Sequence, residues 1–321
     1  MPSSPEQIMI TITNISLPNA IDSIRKGLAP ATMRLPFTLF SSPTAFRRCR
    51  GLASLIWMCA SLTVPAMGSE ADDRMLAVFW DKLAACSNDC AAVIALCGKV
   101  SGSLPESACQ PVIRGVQAWH ELAAGNSAAG AVTLQAMLNA GKDPLALTAN
   151  SMALRWLTRL DREKVRKALS GYYAEHVAFP ESMDFLQKIP ANRRPPLVDR
   201  WNQAWQYRLA RFEKLTGLVD QRYELRSTEL DAASDFKTAL AVPYGAPFAL
   251  KPVRVVSRFE NQSVVEFQSL GKSPRKAVLN EGAHSGELIF VRLLEREVLL
   301  SDGDRWALVS LPTQGPQEGR P

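Results

Sequence analysis

The chain lacks the local patterns that most often mark chemistry. It has no Gly-x-x-x-x-Gly-Lys-Ser/Thr phosphate loop, no Gly-x-Gly-x-x-Gly, no Gly-x-Ser-x-Gly elbow and no His-Glu-x-x-His; each of these exists because a phosphate, a strained nucleophile or a zinc ion needs that spacing. Its only histidines, His120, His176 and His284, fall in three separate segments, and no carboxylate pair stands out as a general acid and base. An apolar run long enough for a membrane helix is also missing. The longest, Leu52 to Val64, has 13 residues, about 20 Å as a helix against a hydrocarbon core of about 30 Å. A basic excess is absent where it would matter. Of 37 Lys/Arg and 31 Asp/Glu, residues 1 to 68 hold six and two, leaving 31 and 29, so the remainder offers no basic face to nucleic acid.

What precedes residue 69 has the three parts of a secretory leader: Arg47-Arg48-Cys49-Arg50, the apolar run, then Pro65-Ala66-Met67-Gly68-Ser69-Glu70. Residues 1 to 46 show no helical or strand period, and Met33 is an alternative start. Cleavage after Gly68 of the 321 residues would leave 253, enough for two small domains or more. The expected product is periplasmic or secreted, with no stable membrane span once the leader is removed.

Cys49 and Cys59 lie in that leader, and Cys86, Cys90, Cys97 and Cys109 follow within 24 residues, with none later. An even number behind a secretory signal reads as two disulfides, with three pairings open. Intervening spacings of three, six and eleven residues lack the Cys-x-x-Cys knuckles of zinc, iron–sulfur and redox sites. Ser87-Asn88-Asp89 can break and recap a helix, and Ser103-Leu104-Pro105-Glu106 reads as a capping box opening the helix of Cys109.

From Ala71 to about Leu160 apolar residues recur at helical spacing, as in Leu76, Phe79, Trp80 and Leu83, and in Val112, Val116, Trp119 and Leu122. Breaks at Gly125-Asn126, Gly141 to Pro144 and Asn150-Ser151 predict about five short helices. Arg155, Arg159 and Arg162 with Asp161 and Glu163 read as a solvated helix face; His120 reads as a partly buried helix residue. Pro243, Gly245, Pro247 and Pro252 mark a linker at 241–252. Beyond it the period becomes two: Val253 to Phe259, Ser263 to Gln268, Arg275 to Leu279, Glu287 to Leu293, Glu297 to Leu300 and Arg305 to Leu311 read as short strands of a small barrel or sandwich. His284 and Ser285 fall in one of its turns. Residues 313–321 read as a disordered tail.

The most informative marks lie between Ala168 and Phe236. A helix ends at Gly171-Tyr172-Tyr173; then come Phe179-Pro180, Asp199-Arg200-Trp201-Asn202-Gln203-Ala204-Trp205-Gln206-Tyr207, and Tyr223-Glu224-Leu225-Arg226-Ser227 with Asp231. Pro180 forces a turn, and Trp201, Trp205 and Tyr207 alternate so that one extended strand would put all three rings on one face. This order, over about 160–236, resembles the globular half of the major pseudopilins of type II secretion systems. Members read as a helix with a tyrosine near its end, a Tyr/Phe-Pro turn, an Asp-Pro-Trp-Gly hairpin start and a Tyr/Phe-x-Leu-x-Ser-x-Gly-x-Asp strand and loop. Arg200, Asn202 and Glu229 depart from that pattern, although asparagine tolerates the positive φ such a turn requires. The leader departs too, since Gly51 is followed by Ile56 where the family has glutamate.

With a helical region at 69–159 and an all-β domain at 253–312 read from their periods, the resemblance, which implies a helix-plus-antiparallel-sheet module at 160–240, completes an α+β fold. It implies structural roles for Tyr173, Pro180, Asp199, Trp201, Trp205, Tyr207, Tyr223 and Ser227. In the family the following loop often binds calcium; here Asp231 and Asp235 could supply two oxygens of the six to eight required, and a solvated acidic loop without cofactor is the expectation. Ala277 to Gly282, Gly286 to Leu288 and Glu297 to Leu300 resemble, more weakly, the small periplasmic β-domain of inner-membrane proteins of type II secretion and type IV pilus machines. The implied function is that of a non-enzymatic adaptor whose partners are protein components of such an assembly. The alternative is a secreted hydrolase with a noncontiguous site.

Overall fold

The computed structural model describes residues 70–86, 88–138, 141–213, 219–230, 234–259, 262–271 and 273–312. The leader, Asp231 and the tail lie outside them. All described residues belong to one compact unit, with helices first and antiparallel sheets after, an α+β fold.

Four helices come first: α1 (Glu70–Cys86), α2 (Cys90–Ser103), α3 (Gln110–Ala123) and α4 (Ser127–Gln135). Asp89 caps α2, its carboxylate accepting from the amides of Ala91 at 2.9 Å and Ala92 at 3.2 Å, as Ser87-Asn88-Asp89 suggested. The second expected start moves. Ser103 ends α2 by bonding the carbonyl of Val100, and α3 starts only at Gln110, with Pro111 in its first turn. Asn150-Ser151 is no break at all: one helix, α5, runs from Pro144 to His176, capped by Asp143 on the amide of Ala146. The expected boundary at 159/160 therefore falls inside a continuous helix. It ends at His176, three residues before Phe179, and Val177, with a φ of 54°, turns the chain out of the helix.

After a single turn, α6 (Phe185–Lys188), strands β1 (Gln206–Glu213) and β2 (Val219–Arg226) form an antiparallel ribbon, followed by α7 (Phe236–Ala241). The strands beyond fall close to the segments read from period two: β3 (Leu250–Phe259), β4 (Gln262–Ser269) and β5 (Lys276–Asn280) in one sheet, and β6 (His284–Ser285), β7 (Leu288–Leu293), β8 (Glu297–Ser301) and β9 (Trp306–Ser310) in another. His284 and Ser285 thus pair with β7 instead of lying in a loop.

The second sheet is the middle of three layers. Leu288, Phe290, Val298 and Leu300 join Phe267 and Val265 of the first sheet, while Ile289, Val291, Leu299 and Trp306 join the core of α1 to α5. Alternation along a strand produces this division. A bulge between Phe290 and Arg292 reverses the alternation, so that Leu293 faces the β core and Leu294 the helices. Helix α3 approaches this sheet tightly at Gly115: a Cβ there would lie 2.3 Å from the indole nitrogen of Trp306. The 241–252 segment is no loose linker, because Tyr244 is buried in the helical core and Phe248 in the β core.

Candidate partner interface

The residues that carried the resemblance converge on the second half of α5. Val165 and Leu169 of α5 are covered by Trp205, Leu225, Phe185 and Leu186, with Tyr172, Tyr207 and Tyr223 half-buried around them. The register explains the convergence: Tyr207 pairs with Leu225 and Leu209 with Tyr223, so these side chains share the inner face of the ribbon. The Trp205 indole donates to the carbonyl of Pro196 at 2.9 Å, and the Tyr207 hydroxyl to that of buried Pro180 at 2.8 Å. Burial pushes the Tyr207 phenol up to about 12.

Asp199 holds the turn before the ribbon. It is 4% exposed; one carboxylate oxygen accepts from the amides of Trp201 and Gln203, both at 2.9 Å, and the other from the hydroxyl of Ser227 at 2.7 Å. Asn202 completes the turn with a φ of 62°. Arg200, where the family has proline, reaches α5 instead, donating to Asp161 at 2.5 Å.

Two expected members stand apart. Trp201 belongs to this turn, not to a strand, since β1 begins only at Gln206; the tight backbone bonds of 199–203 divert its ring from the row of Trp205 and Tyr207. Tyr173 is 41% exposed and packs on Phe179 at 4.7 Å between centroids, while its neighbour Tyr172 enters the core. One residue of helix is about 100° of rotation, which decides which of the pair faces inward.

The arginines of α5 are not a solvated face. Arg159 and Arg162 are fully buried, as is Asp161. Arg159 forms a bidentate pair with Asp304, at 2.7 and 2.8 Å, a geometry that matches guanidinium to carboxylate. Arg155 adds 3.0 Å to the same carboxylate, and the Trp156 indole donates to the carbonyl of Asp304 at 2.9 Å. Burial raises the Asp304 carboxyl, but the two arginines overcome this and leave it below the usual range. Arg162 is less well matched: one nitrogen donates to the Ser234 carbonyl at 2.5 Å, and Nε and Nη1 have no partner. Burial, with Arg166 and Arg159 close by, pushes it down to about 10. Sequence reasoning missed this clamp because nothing local links residue 159 to residue 304. The i, i+3, i+7 series Met152, Arg155, Arg159 was its only trace, placing two arginines on a stripe that begins apolar.

Of the two aspartates expected to supply oxygens to calcium, Asp231 lies outside the described residues. Ser234 gives its carbonyl to Arg159 and Arg162 and its hydroxyl to Arg159, while Asp235 caps α7 through the amide of Thr238 at 2.7 Å. Two buried guanidinium groups repel a divalent cation. Among the described residues no cluster of three or more acidic, histidine or cysteine side chains could hold a metal.

The structure holds Cys86, Cys90, Cys97 and Cys109 as four thiols, where the sequence led to an expectation of two bridges. The Cys86 thiol donates to the carbonyl of Lys82 within its own helix, and that of Cys109 to Asp72 of α1 at 3.7 Å. Burial pushes Cys97 and Cys109 up to about 12, which keeps them protonated and unreactive. His120 is fully buried, its ring against Trp119 and Tyr244, and neither ring nitrogen has a partner; burial pushes it down to about 4.

Several clefts open on the surface of the described residues. One of about 840 Å³ lies between α1 and the β7–β8 turn, where Asp73 pairs with Arg292 at 2.9 Å. Burial raises the Asp73 carboxyl despite Arg292. A polar cleft of about 340 Å³ lies over Arg155, Ser227, Ser234 and Asp304. An apolar one of about 320 Å³ runs beside β9, lined by Trp80, Leu83, Tyr244, Phe248 and Trp306. Of the sheet edges, β3 carries Pro252, two register shifts and the charges of Lys251, Arg254 and Arg258, features that discourage strand addition. β9, Trp-Ala-Leu-Val-Ser, has neither charge nor proline and pairs with β8 alone among the described residues.

No described helix is long and apolar enough to cross a membrane. Comparison with family models, with curated proteins and with solved structures gives no match.

Proposed function

We propose that this chain is an exported, non-enzymatic adaptor of a type II secretion or type IV pilus-like envelope assembly, working in the periplasm or outside the cell. One observation carries the reading: Trp205, Tyr207 and Tyr223 close over α5, and Asp199 locks to Ser227, at the positions whose order resembles the major pseudopilins. Such packing also suits an aromatic core in another α+β protein, so the proposal rests on the order of the marks together with their convergence. A partner contact fits the edge of β9, which has one neighbouring strand among the described residues and an adjoining apolar cleft suited to an extended, uncharged segment, beyond the Trp306 amide that already donates to the Tyr244 hydroxyl at 3.3 Å.

Affinity capture of the tagged chain from envelopes tests the role. Recovery of secretin, pseudopilin or pilus components supports it; recovery of no such component across detergents and crosslinkers refutes it. The rival is a secreted hydrolase working in the large cleft, and the raised carboxyl of Asp73 favours that reading. Hydrolysis of a panel of esters, peptides and glycosides, abolished by Asp73→Asn without loss of folding, would establish the rival.

A further inference from the structure

We propose that the edge of β9 and helix α1 form a groove for an extended peptide of another protein, uncharged and carrying an aliphatic side chain that enters beside Leu308. The ladder sets which backbone groups can pair. Asp302 donates to the carbonyl of Arg305 at 3.3 Å and Leu311 to that of Arg296 at 2.8 Å, and pairing alternates along antiparallel strands. Ala307, Val309 and Leu311 therefore turn their N–H and C=O groups toward β8, while Trp306, Leu308 and Ser310 turn theirs away from it. The Trp306 amide fits this phase, since it donates outward to the Tyr244 hydroxyl at 3.3 Å. That bond closes one end of the edge. Among the described residues, Leu308 and Ser310 are left to receive an added strand.

Side-chain direction sets what such a strand must carry. A residue opposite Leu308 points to the same face of the sheet, and that face is the helical one: Trp306 is buried in the helical core and Leu308 packs against it. There lies the cleft of about 320 Å³, walled by Trp80 and Leu83 of α1 and by the segment from Tyr244 to Phe248, with no charged residue in its lining. Ala307, Leu308 and Val309 are only partly buried, so the strand can be reached. A carboxylate or ammonium group entering the cleft would lose water and meet no opposite charge, so the lining selects an uncharged occupant. Main-chain bonds supply the attachment, and alternate side chains supply the specificity.

This partner chemistry rests on the β9 contact of the adaptor role, yet the two fail separately: envelope capture reads the role, and a defined peptide reads the groove. The test titrates the full chain with acetylated, amidated Thr-Val-Thr-Leu-Thr-Val, following calorimetric heat and amide hydrogen exchange. Saturable binding is expected, with exchange at Leu308 and Ser310 slowed at least about tenfold. Aspartate in place of the peptide's leucine should weaken binding at least about tenfold. Leu308→Pro should do the same, because it removes an N–H that β8 does not use. Absence of saturable binding up to millimolar peptide overturns the proposal, as does binding that leaves exchange at Leu308 and Ser310 unchanged or tolerates either substitution. Slow exchange at both amides before peptide is added overturns it too, because another part of the chain or a second copy would then fill the edge. Should Leu308→Pro fail to fold, the exchange and the aspartate peptide decide without it.

Discussion

Replacing Asp304 by alanine tests whether the carboxy-terminal sheet is locked to α5 by charge. The substitution removes the carboxylate that accepts from Arg159 at 2.7 and 2.8 Å and from Arg155 at 3.0 Å. Arg159 has no solvent to turn to, being 0% exposed. Leaving one member of a buried ion pair without its partner costs about 3–5 kcal/mol. For a unit of this size about 2–4 °C accompanies each kcal/mol, so the midpoint should fall by about 6–20 °C. Asp304→Asn should lose less, because the amide oxygen still accepts one bond. Glu70→Gln is the control: its pair with Arg74 is exposed, one helical turn apart, and such pairs contribute about 0.3–0.5 kcal/mol. Circular dichroism melts and guanidinium titrations of the four proteins measure this. A loss under about 1 kcal/mol for Asp304→Ala would mean that the arginines find other partners, and the clamp would not be what joins the layers. The ion pair should also weaken in acid. Because the folded carboxyl lies below its unfolded value, its stabilisation is full above the unfolded value near 3.8 and is lost as pH falls through the lower, folded one.

His120 has the opposite charge behaviour and acts earlier. Its folded value of about 4 against 6.5 unfolded means the unfolded chain takes up a proton first, so stability should fall by about 3 kcal/mol from pH 7 to pH 4; His120→Phe should flatten that slope in melts run across this range, and an unchanged slope would refute the assignment. Asp199→Ala frees two turn amides and the Ser227 hydroxyl and should cost about 3 kcal/mol, with loss of exchange protection at Gln203 while the α1–α4 core keeps its own. Gly115→Ala drives a methyl against the Trp306 indole and should cost about 1–3 kcal/mol, accompanied by a shift in tryptophan fluorescence; a neutral result would show that Trp306 is free to move.

Much of the secondary structure was legible because its causes are local. Strand segments followed from alternation and from the turns at Asn280 to Gly282 and Ser301 to Asp304; Asp89 and Asn202 did what their side chains and permitted φ values allow. The inward faces of Tyr207, Tyr223 and Leu225 also followed, since period two is fixed by the extended backbone. Errors came where a local mark met a stronger distant contact. Asn150-Ser151 looks like a break, but Ala149 and Met152 are buried against the helical core, and that burial outweighs a weak propensity. The proline-rich segment before β3 looks like a linker, yet Tyr244 and Phe248 anchor it on two cores.

By itself the sequence determined the class, α+β with helices first, the approximate strands and which side chains share a face of β1 or of β2, because these depend on residues a few places apart. Only the tertiary structure decided that α5 is one rod, that β7 and β8 are buried on both faces, and that Arg159 meets Asp304 and Ser234. Charges that read as solvated along a helix are buried once partners 75 and 145 residues away arrive, and no local pattern encodes an encounter set by packing across the whole chain.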